Sequence, residues 1–408
     1  MMYLTQSLPG SSGRLKSVPE DFRVEEIPQF DCTGDGTWLH LLIRKRDLST
    51  FEVVERLASA LNLRKGDIGY AGIKDKRAVT VQWMSVPRWV EPRLESLELC
   101  DVEILDQRPH RHRLRAGDLA GNRFDIVIRE TVPEALDRAR AILAVLSRRG
   151  VPNLFGPQRF GTRENSDLLG RALLKGDWDE VLRQLLGSPS PLERDPRVLA
   201  ARRLFDEGRT EQAESTFPAE FRVERAVLRR LTETADARLA VTRIPRPLRF
   251  LFVSAFQSRV FNDCLAKRLD TLDDVIDGDV LFDHRFESCF SVQEAESERS
   301  DVHAFRRSAA GPVFGKGMMR ARGAAEALEA RVFEQRDVDP ASPGNPEAGV
   351  SLRGERRSYR ARLEDCQVDA AQEGLRLKFE LRRGSYATAV LKEIMKSPDA
   401  LADESPPE

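Results

Sequence analysis

Strand-like alternation marks both ends of this chain and helical periodicity fills its middle, so any fold it adopts must reconcile the two. From Thr37 to Arg46, Leu39, Leu41 and Ile43 alternate with Trp38, His40 and Leu42, which predicts a strand buried on one face. Val79, Val81 and Trp83 alternate with Thr80, Gln82 and Met84 in a second run that stops at Pro87. A third run carries Phe124, Ile126 and Ile128, with Gly121 and Asn122 read as a turn at its entry, and a fourth carries Leu375, Leu377, Phe379 and Leu381. Two capping boxes open helices: Ser49 with Glu52 ahead of Val54, Leu57 and Leu61, and Thr131 with Glu134 ahead of Leu136, Ala139, Leu143 and Leu146. From about 160 to 335, Arg, Leu, Ala and Glu recur at helical spacing, and the segment from Pro247 to Leu269 is apolar nearly all round, as a buried helix is. VDPASPGNPEAGV (338 to 350) is a loop without periodicity and reads as a boundary. The simplest reconciliation is an α+β fold: a discontinuous sheet domain, 1–149 and 353–408, interrupted by a mostly helical domain over 150–352. The tail SPDALADESPPE is expected to be disordered.

A chain of 408 residues is too long for one ordinary core. Its 41% hydrophobic and 32% charged residues, with no apolar run near twenty, describe a soluble globular protein with no membrane span. MMYLTQSLPGSSGR lacks the apolar stretch of an export signal, so the expected location is cytoplasmic. Five cysteines without a C-x-x-C pair argue against a disulfide framework and against zinc. His110 and His112 read as a surface pair, so no metal is expected. Lys plus Arg number 65 against 66 Asp plus Glu, which leaves any nucleic-acid argument to local charge. RPHRHRLR (108 to 115) and RRSYRAR (356 to 362) each hold four arginines. They read either as solvated faces or as phosphate contacts, with the tyrosine available to stack on a base. No dimerisation segment is evident, and monomer is the default.

Four segments can carry chemistry. In AGIKDKRAVTVQ (71 to 82) a carboxylate, Asp75, stands between Lys74 and Lys76 with Arg77 beyond, on a tight connection between predicted elements. Nearby cations favour the ionised acid, which suits a nucleophile or base; an arbitrary KDK is more often a charged hairpin tip. LAGNRFDIVIR (119 to 129) offers Asn122, whose amide can read a base edge or cap a turn. VPNLFGPQRFGTREN (151 to 165) sets two Phe-Gly pairs around Gln158 and Arg159, either a packed hinge or a ligand loop. LRRGSYATAVLKE (381 to 393) puts Tyr386 directly after a strand, where packing of the ring is the plainer use.

Together these segments resemble the TruD family of pseudouridine synthases, in the family's order and over nearly the whole chain. KSVPEDFRVEEI (16 to 27) is similar to the family's opening K-x-x-P-E-D-F-x-V-x-E, and AGIKDKRAVTVQ matches G-x-K-D-K-x-A-x-T-x-Q without departure. LAGNRFDIVIR, NLFGPQRFG, SAFQSRVFN (254 to 262) and RRGSYAT each resemble a further block. Phe256 and Leu154 depart from the tyrosines frequent at their places, and no role is attached to them. The resemblance implies a catalytic domain around a mixed sheet, interrupted by the helical domain of TruD proteins. It implies isomerisation of uridine to pseudouridine in RNA, with tRNA and its uridine 13 foremost, without metal or other cofactor. Asp75 is then the catalytic nucleophile, attacking C1′ or acting through a glycal route by proton removal at C2′. Phe22 and Tyr386 are the implied walls against the extruded uracil and Asn122 its polar contact. Lys74, Lys76 and Arg77 would keep Asp75 ionised and meet flanking phosphates.

Two other classes compete. A catalytically inactive RNA-binding protein of the same fold would be expected to have lost Asp75 or Asn122, and both are present. A carboxylate-dependent glycoside or nucleoside hydrolase would need a second carboxyl as general acid, for which Glu20 and Asp21 are the nearest.

Overall fold

The computed structural model describes residues 3–29, 31–95 and 97–397. The chain forms two compact units: residues up to Asn153 together with those from Ala361 onward, and Leu154–Arg360.

The first unit is built on eight strands: β1 Phe22–Pro28, β2 Trp38–Arg46, β3 Gly69–Tyr70, β4 Val79–Pro87, β5 Val102–His110, β6 Leu119–Arg129, β7 Glu364–Ala371 and β8 Gly374–Arg382. They lie in the order β7-β8-β6-β1-β4-β2-β5, with β3 beside β4. The sheet is mixed because β1 and β4 run parallel, Arg23 facing Val79 and Val24 facing Thr80, whereas the other neighbours are antiparallel. Three helices serve it: α1 Thr50–Leu61, α2 Ala135–Arg149 and α3 Ala387–Met395.

Two apolar clusters fill the unit. Phe22, Val24, Phe124, Ile126, Ile128, Leu377 and Phe379 pack under α2 and α3, while Leu39, Leu41, Ile43, Met84 and Val86 pack under α1. Between them runs a polar seam, since the inward positions of β1 and β4 that a core would fill with aliphatics hold Glu26, Thr80 and Gln82, all buried. Buried polar groups mostly have partners; those of Glu26 and Gln82 include the loop that precedes β4, whereas Thr80 Oγ1 has none among the described residues.

Several expectations are met and several shift. The Ser49–Glu52 box closes on α1, Glu52 N donating to Ser49 Oγ and Ser49 N to Glu52 Oε2. The Thr131–Glu134 box does not form: Glu134 is itself the N-cap of α2 and makes no side-chain cap. Pro133 disfavours helical backbone at Val132, and Val132 N is held instead by Ser11 O at 3.1 Å. Gly121 and Asn122 lie within β6 rather than in a turn, paired with β1 and with Arg382 and Leu381 of β8. The glycine is needed there because a Cβ would sit 2.3 Å from Leu381 O.

The second unit is mostly helical, around the buried helix Arg246–Arg268, and it also holds a four-stranded antiparallel sheet in the order Glu355–Ser358, Arg307–Val313, Val280–Asp283, Ser288–Ser291. The unit therefore ends at Arg360 rather than near 352, because Glu355–Ser358 pairs with Arg307–Val313 inside it. The Pro-rich loop at 338–350 is internal to this unit. Asn262 of SAFQSRVFN grips the NLFG segment at both polar groups of Phe155, accepting from its N at 2.9 Å and donating to its O at 3.0 Å. That is packing of the segment onto the long helix. The expected disordered tail lies outside the described residues from 398 onward.

Candidate active site

Asp75 sits on the loop between β3 and β4, and the polar seam holds that loop at successive backbone groups. Gln82 Nε2 donates to Gly72 O at 3.1 Å, its Oε1 accepts from Thr50 Oγ1 at 3.0 Å, and Thr50 Oγ1 accepts from Lys74 N at 2.9 Å. Lys45, wholly buried on β2, donates from Nζ to Asp75 O at 2.8 Å and to Leu48 O. Lys74 drives its ammonium inward onto Glu26 Oε2 at 2.6 Å, the two side chains 5% and 1% exposed. Trp83 N also donates to Glu26. Burial pushes the Glu26 carboxyl above its ordinary value, and the Lys74 charge pulls against it. A buried pair of this kind adds little net stability, but removing one partner leaves a stranded charge, so it fixes geometry.

With its backbone held, Asp75 presents a carboxylate that is 34% exposed, and Lys16 Nζ lies 3.3 Å from its Oδ1. The same ammonium stands 4.3 Å from the centre of the Phe22 ring. Lys16 adopts φ 53°, the left-handed region that a lysine enters at a cost of about 1 kcal/mol or more. Phe22 itself is buried, edge-on to Phe124 at 6.4 Å. The site thus stacks an aromatic floor, a buried cation and a partly exposed carboxylate.

Asn122 points to the inward face, in one row with Glu26 of β1 and Leu381 of β8. Its Oδ1 is buried without a hydrogen-bond partner among the described residues. Tyr386, 39% exposed, is the N-cap of α3, four residues after β8 ends.

Other expectations change. Lys74 is turned into the fold and is not placed to meet a phosphate, because Glu26 needs its charge. Lys76 remains at the surface and reaches Glu52 at 3.0 Å. Phe22 is a floor beneath Lys16 rather than an open wall. In the 356–362 run, Arg356, Tyr359 and Arg360 are buried, with Arg356 Nη2 on Glu329 at 3.1 Å and Arg360 Nε on Ser308 Oγ at 2.9 Å, so these residues offer no phosphate track. His110 is buried, its ring stacked on His40 at 4.3 Å, and is no surface group. Neither suspect for a hydrolase's general acid is suited to it. Burial pushes the Asp21 carboxyl up, but a two-point grip by Arg129 at 2.8 Å outweighs this and the net effect is a lowering. The Arg46 hydrogen bond likewise holds Glu20 below its ordinary value. Lys16, Lys45, Glu26, Thr50 and Gln82 were not assigned roles from the sequence. The available signals were motif ends: Lys16 and Glu26 bound K-x-x-P-E-D-F-x-V-x-E, and Gln82 closes G-x-K-D-K-x-A-x-T-x-Q.

Among the described residues no group of three or more His, Cys, Asp or Glu is placed to hold a metal, and no helix is long and apolar enough to cross a membrane. The first unit is a discontinuous mixed sheet that carries a braced carboxylate, Asp75, with Lys16 at 3.3 Å, and its place among the pseudouridine synthases rests on the family it matches. The family model of tRNA pseudouridine synthase D (TruD) matches residues 1–394, and the chain belongs to that family. A tRNA pseudouridine synthase D of Geobacter metallireducens is 43% identical over 395 residues, covering 97% of each chain. That of Anaeromyxobacter dehalogenans is 33% identical over 404 residues, covering 98% of each. The crystal structure of a TruD protein from Methanosarcina mazei superposes with a TM-score of 0.84 at 26% identity, covering 97% of this chain and 96% of the other.

Proposed function

We propose that the protein isomerises a uridine of tRNA, at position 13, to pseudouridine, with Asp75 as the nucleophile at C1′ of the target nucleotide. The observation that carries this is the bracing of one carboxylate: backbone held from Gly72 to Asp75, side chain partly exposed, Lys16 at 3.3 Å. Isomerisation needs a carboxylate at the sugar while the base is detached and rejoined through C5, and Lys16 stands beside that carboxylate at 3.3 Å. The uridine must leave its stack to reach Asp75. Asn122 Oδ1, buried and without a partner among the described residues, is the acceptor assigned to the N3–H of the extruded uracil, and Tyr386 supplies an exposed ring against the base. The chain acts as a monomer in the cytoplasm.

Tritium release from [5-³H]uridine-labelled tRNA, measured for wild type and Asp75→Asn with the modified position mapped, tests the reading. Release by wild type alone at one uridine is expected. Release by both proteins removes Asp75 from the mechanism, and release by neither across several tRNA pools removes tRNA as substrate. RNA binding by a chain that never releases tritium from any RNA would instead favour an inactive binding protein.

A further inference from the structure

The Asp75 carboxylate can react only where its backbone puts it, and one of the contacts that set this backbone is a buried charge. Lys45 stands on β2 between Thr80 of β4 and Val102 of β5, neither of them charged. Its side chain is fully buried, and Nζ ties two carbonyls from separate parts of the chain, Leu48 O in the turn before α1 and Asp75 O in the loop before β4. Among the described residues no carboxylate lies within ion-pair distance of it. Burying an ammonium whose direct contacts are carbonyl oxygens is costly, and an apolar side chain of similar length would fill the slot at less cost.

We propose that Lys45 is a positioning residue for the reaction at Asp75, its ammonium fixing the height of the loop by holding the Asp75 carbonyl. The inference rests on the reading of Asp75 as the reacting carboxylate. The charged groups that act on Lys45 are Asp75 and Lys74 from the loop, Glu52 from α1 and Asp47 from the turn. Burial dominates them and pushes the amine down to about 8 from 10.5, with Asp75 pulling the other way. A neutral amine keeps N–H groups but loses the charge that makes the carbonyl contact strong, so the loop loosens as pH rises through that value. For the fold the same titration acts in the opposite sense. Between about 8 and 10.5 the unfolded chain holds a proton that the native chain has released, so this group's contribution to stability rises with pH. A rate that falls while stability rises separates loop positioning from unfolding.

The test compares wild type, Lys45→Met and Lys45→Arg in single-turnover isomerisation of tRNA from pH 6.5 to 9.5, with amide hydrogen exchange of residues 72–78 followed in the free proteins. At pH 7, Lys45→Met should slow the chemical step roughly 10- to 100-fold with KM nearly unchanged, the size of effect expected from a misplacement of about 1 Å. The ratio of wild type to Lys45→Met should then shrink toward one as pH passes about 8, which cancels any titration of the RNA. Lys45→Arg, charged throughout, should show no such alkaline loss. A ratio constant with pH, or an unchanged rate in Lys45→Met, overturns the proposal. If wild type isomerises no uridine, the parent reading fails by itself. The exchange arm still decides the role of Lys45: protection of 72–78 that is identical in wild type at pH 7 and 9.5 and in Lys45→Met overturns it. Should Lys45→Met not fold, the wild-type pH series against Lys45→Arg carries both arms.

Discussion

Lys16 and Asp75, 59 residues apart in the chain, meet at 3.3 Å, and the lysine is 6% exposed where the carboxylate is 34%. The cation is therefore fixed by the fold while the acid remains available. Its strained φ places the ammonium over the Phe22 ring as well as beside Asp75. Lys16→Met keeps the apolar stem on Phe22 and removes the charge. It should lower kcat by roughly 10²-fold, the usual effect of deleting one preorganised electrostatic contact, with tRNA affinity nearly unchanged. Single-turnover kinetics beside a filter-binding Kd check this, and a loss confined to Kd would make Lys16 an RNA contact instead.

The Glu26–Lys74 pair predicts a stability effect with a particular pattern. Glu26→Gln leaves the Lys74 ammonium buried without its counter-charge and should destabilise the first unit by about 3 kcal/mol. The double variant Glu26→Leu, Lys74→Met strands no charge and should recover much of that loss. Urea unfolding of wild type and the two variants measures both steps. Equal losses in the single and the double variant would show that the pair's packing, not its charge, holds the loop.

Much of this architecture was legible in the sequence, and the unread parts share a physical reason. β2, β6 and β8 face a core on one side and advertise it by alternation, as Leu39, Leu41 and Ile43 do, whereas β4 carries its apolar row, Val79, Val81 and Trp83, on the half-buried face and turns Thr80, Gln82 and Met84 inward. β5 and β7 are edge strands, and β7 buries no side chain fully, so no alternation of apolar residues was required of them. β1 is central but turns Glu26 inward, which breaks its apolar pattern at the position the site needs. The loop of Asp75 stood out in the sequence because its charged residues are contiguous there. Its supports did not, because Lys16, Glu26, Lys45 and Thr50 converge on that loop from distant segments. The arginines at 356–362 misled for the opposite reason, since charge in sequence says nothing of whether a buried Glu329 waits for it.

Asp279, in the second unit, predicts a pH dependence of stability. Burial pushes its carboxyl up to about 6 from 3.8, with Arg268 pulling down. A folded value above the unfolded one means the native state binds the extra proton between about 4 and 6. The associated stability is present in full below that window and lost as pH rises through about 6. Asp279→Asn keeps an acceptor for Ile276 N and Arg268 but cannot titrate. Its stability relative to wild type should therefore improve by about 2 kcal/mol between pH 4 and pH 7. Chemical denaturation at the two pH values checks this, and parallel curves for the two proteins would contradict it.

The two arginine-rich runs should separate in their response to salt. Arg111 and Arg108 lie on the surface, their partners Asp35 and Asp106 exposed or nearly so, and such pairs exchange readily for a phosphate. If the 108–115 run contacts tRNA, Arg111→Ala should weaken binding and reduce the slope of log K against log salt by about 1, with the fold intact. Arg356 is the opposite case, since its guanidinium is held by Glu329, Met319 O and Ala310 O within the second unit. Arg356→Ala strands the Glu329 carboxylate and should destabilise that unit by about 3 to 5 kcal/mol, while the salt slope of whatever folded protein remains stays at the wild-type value. Electrophoretic mobility shifts at several salt concentrations, together with thermal melts, distinguish the two. A reduced slope in Arg356→Ala with an unchanged melt would return that run to the RNA surface, since only a side chain that releases a counterion can change the slope without changing the fold.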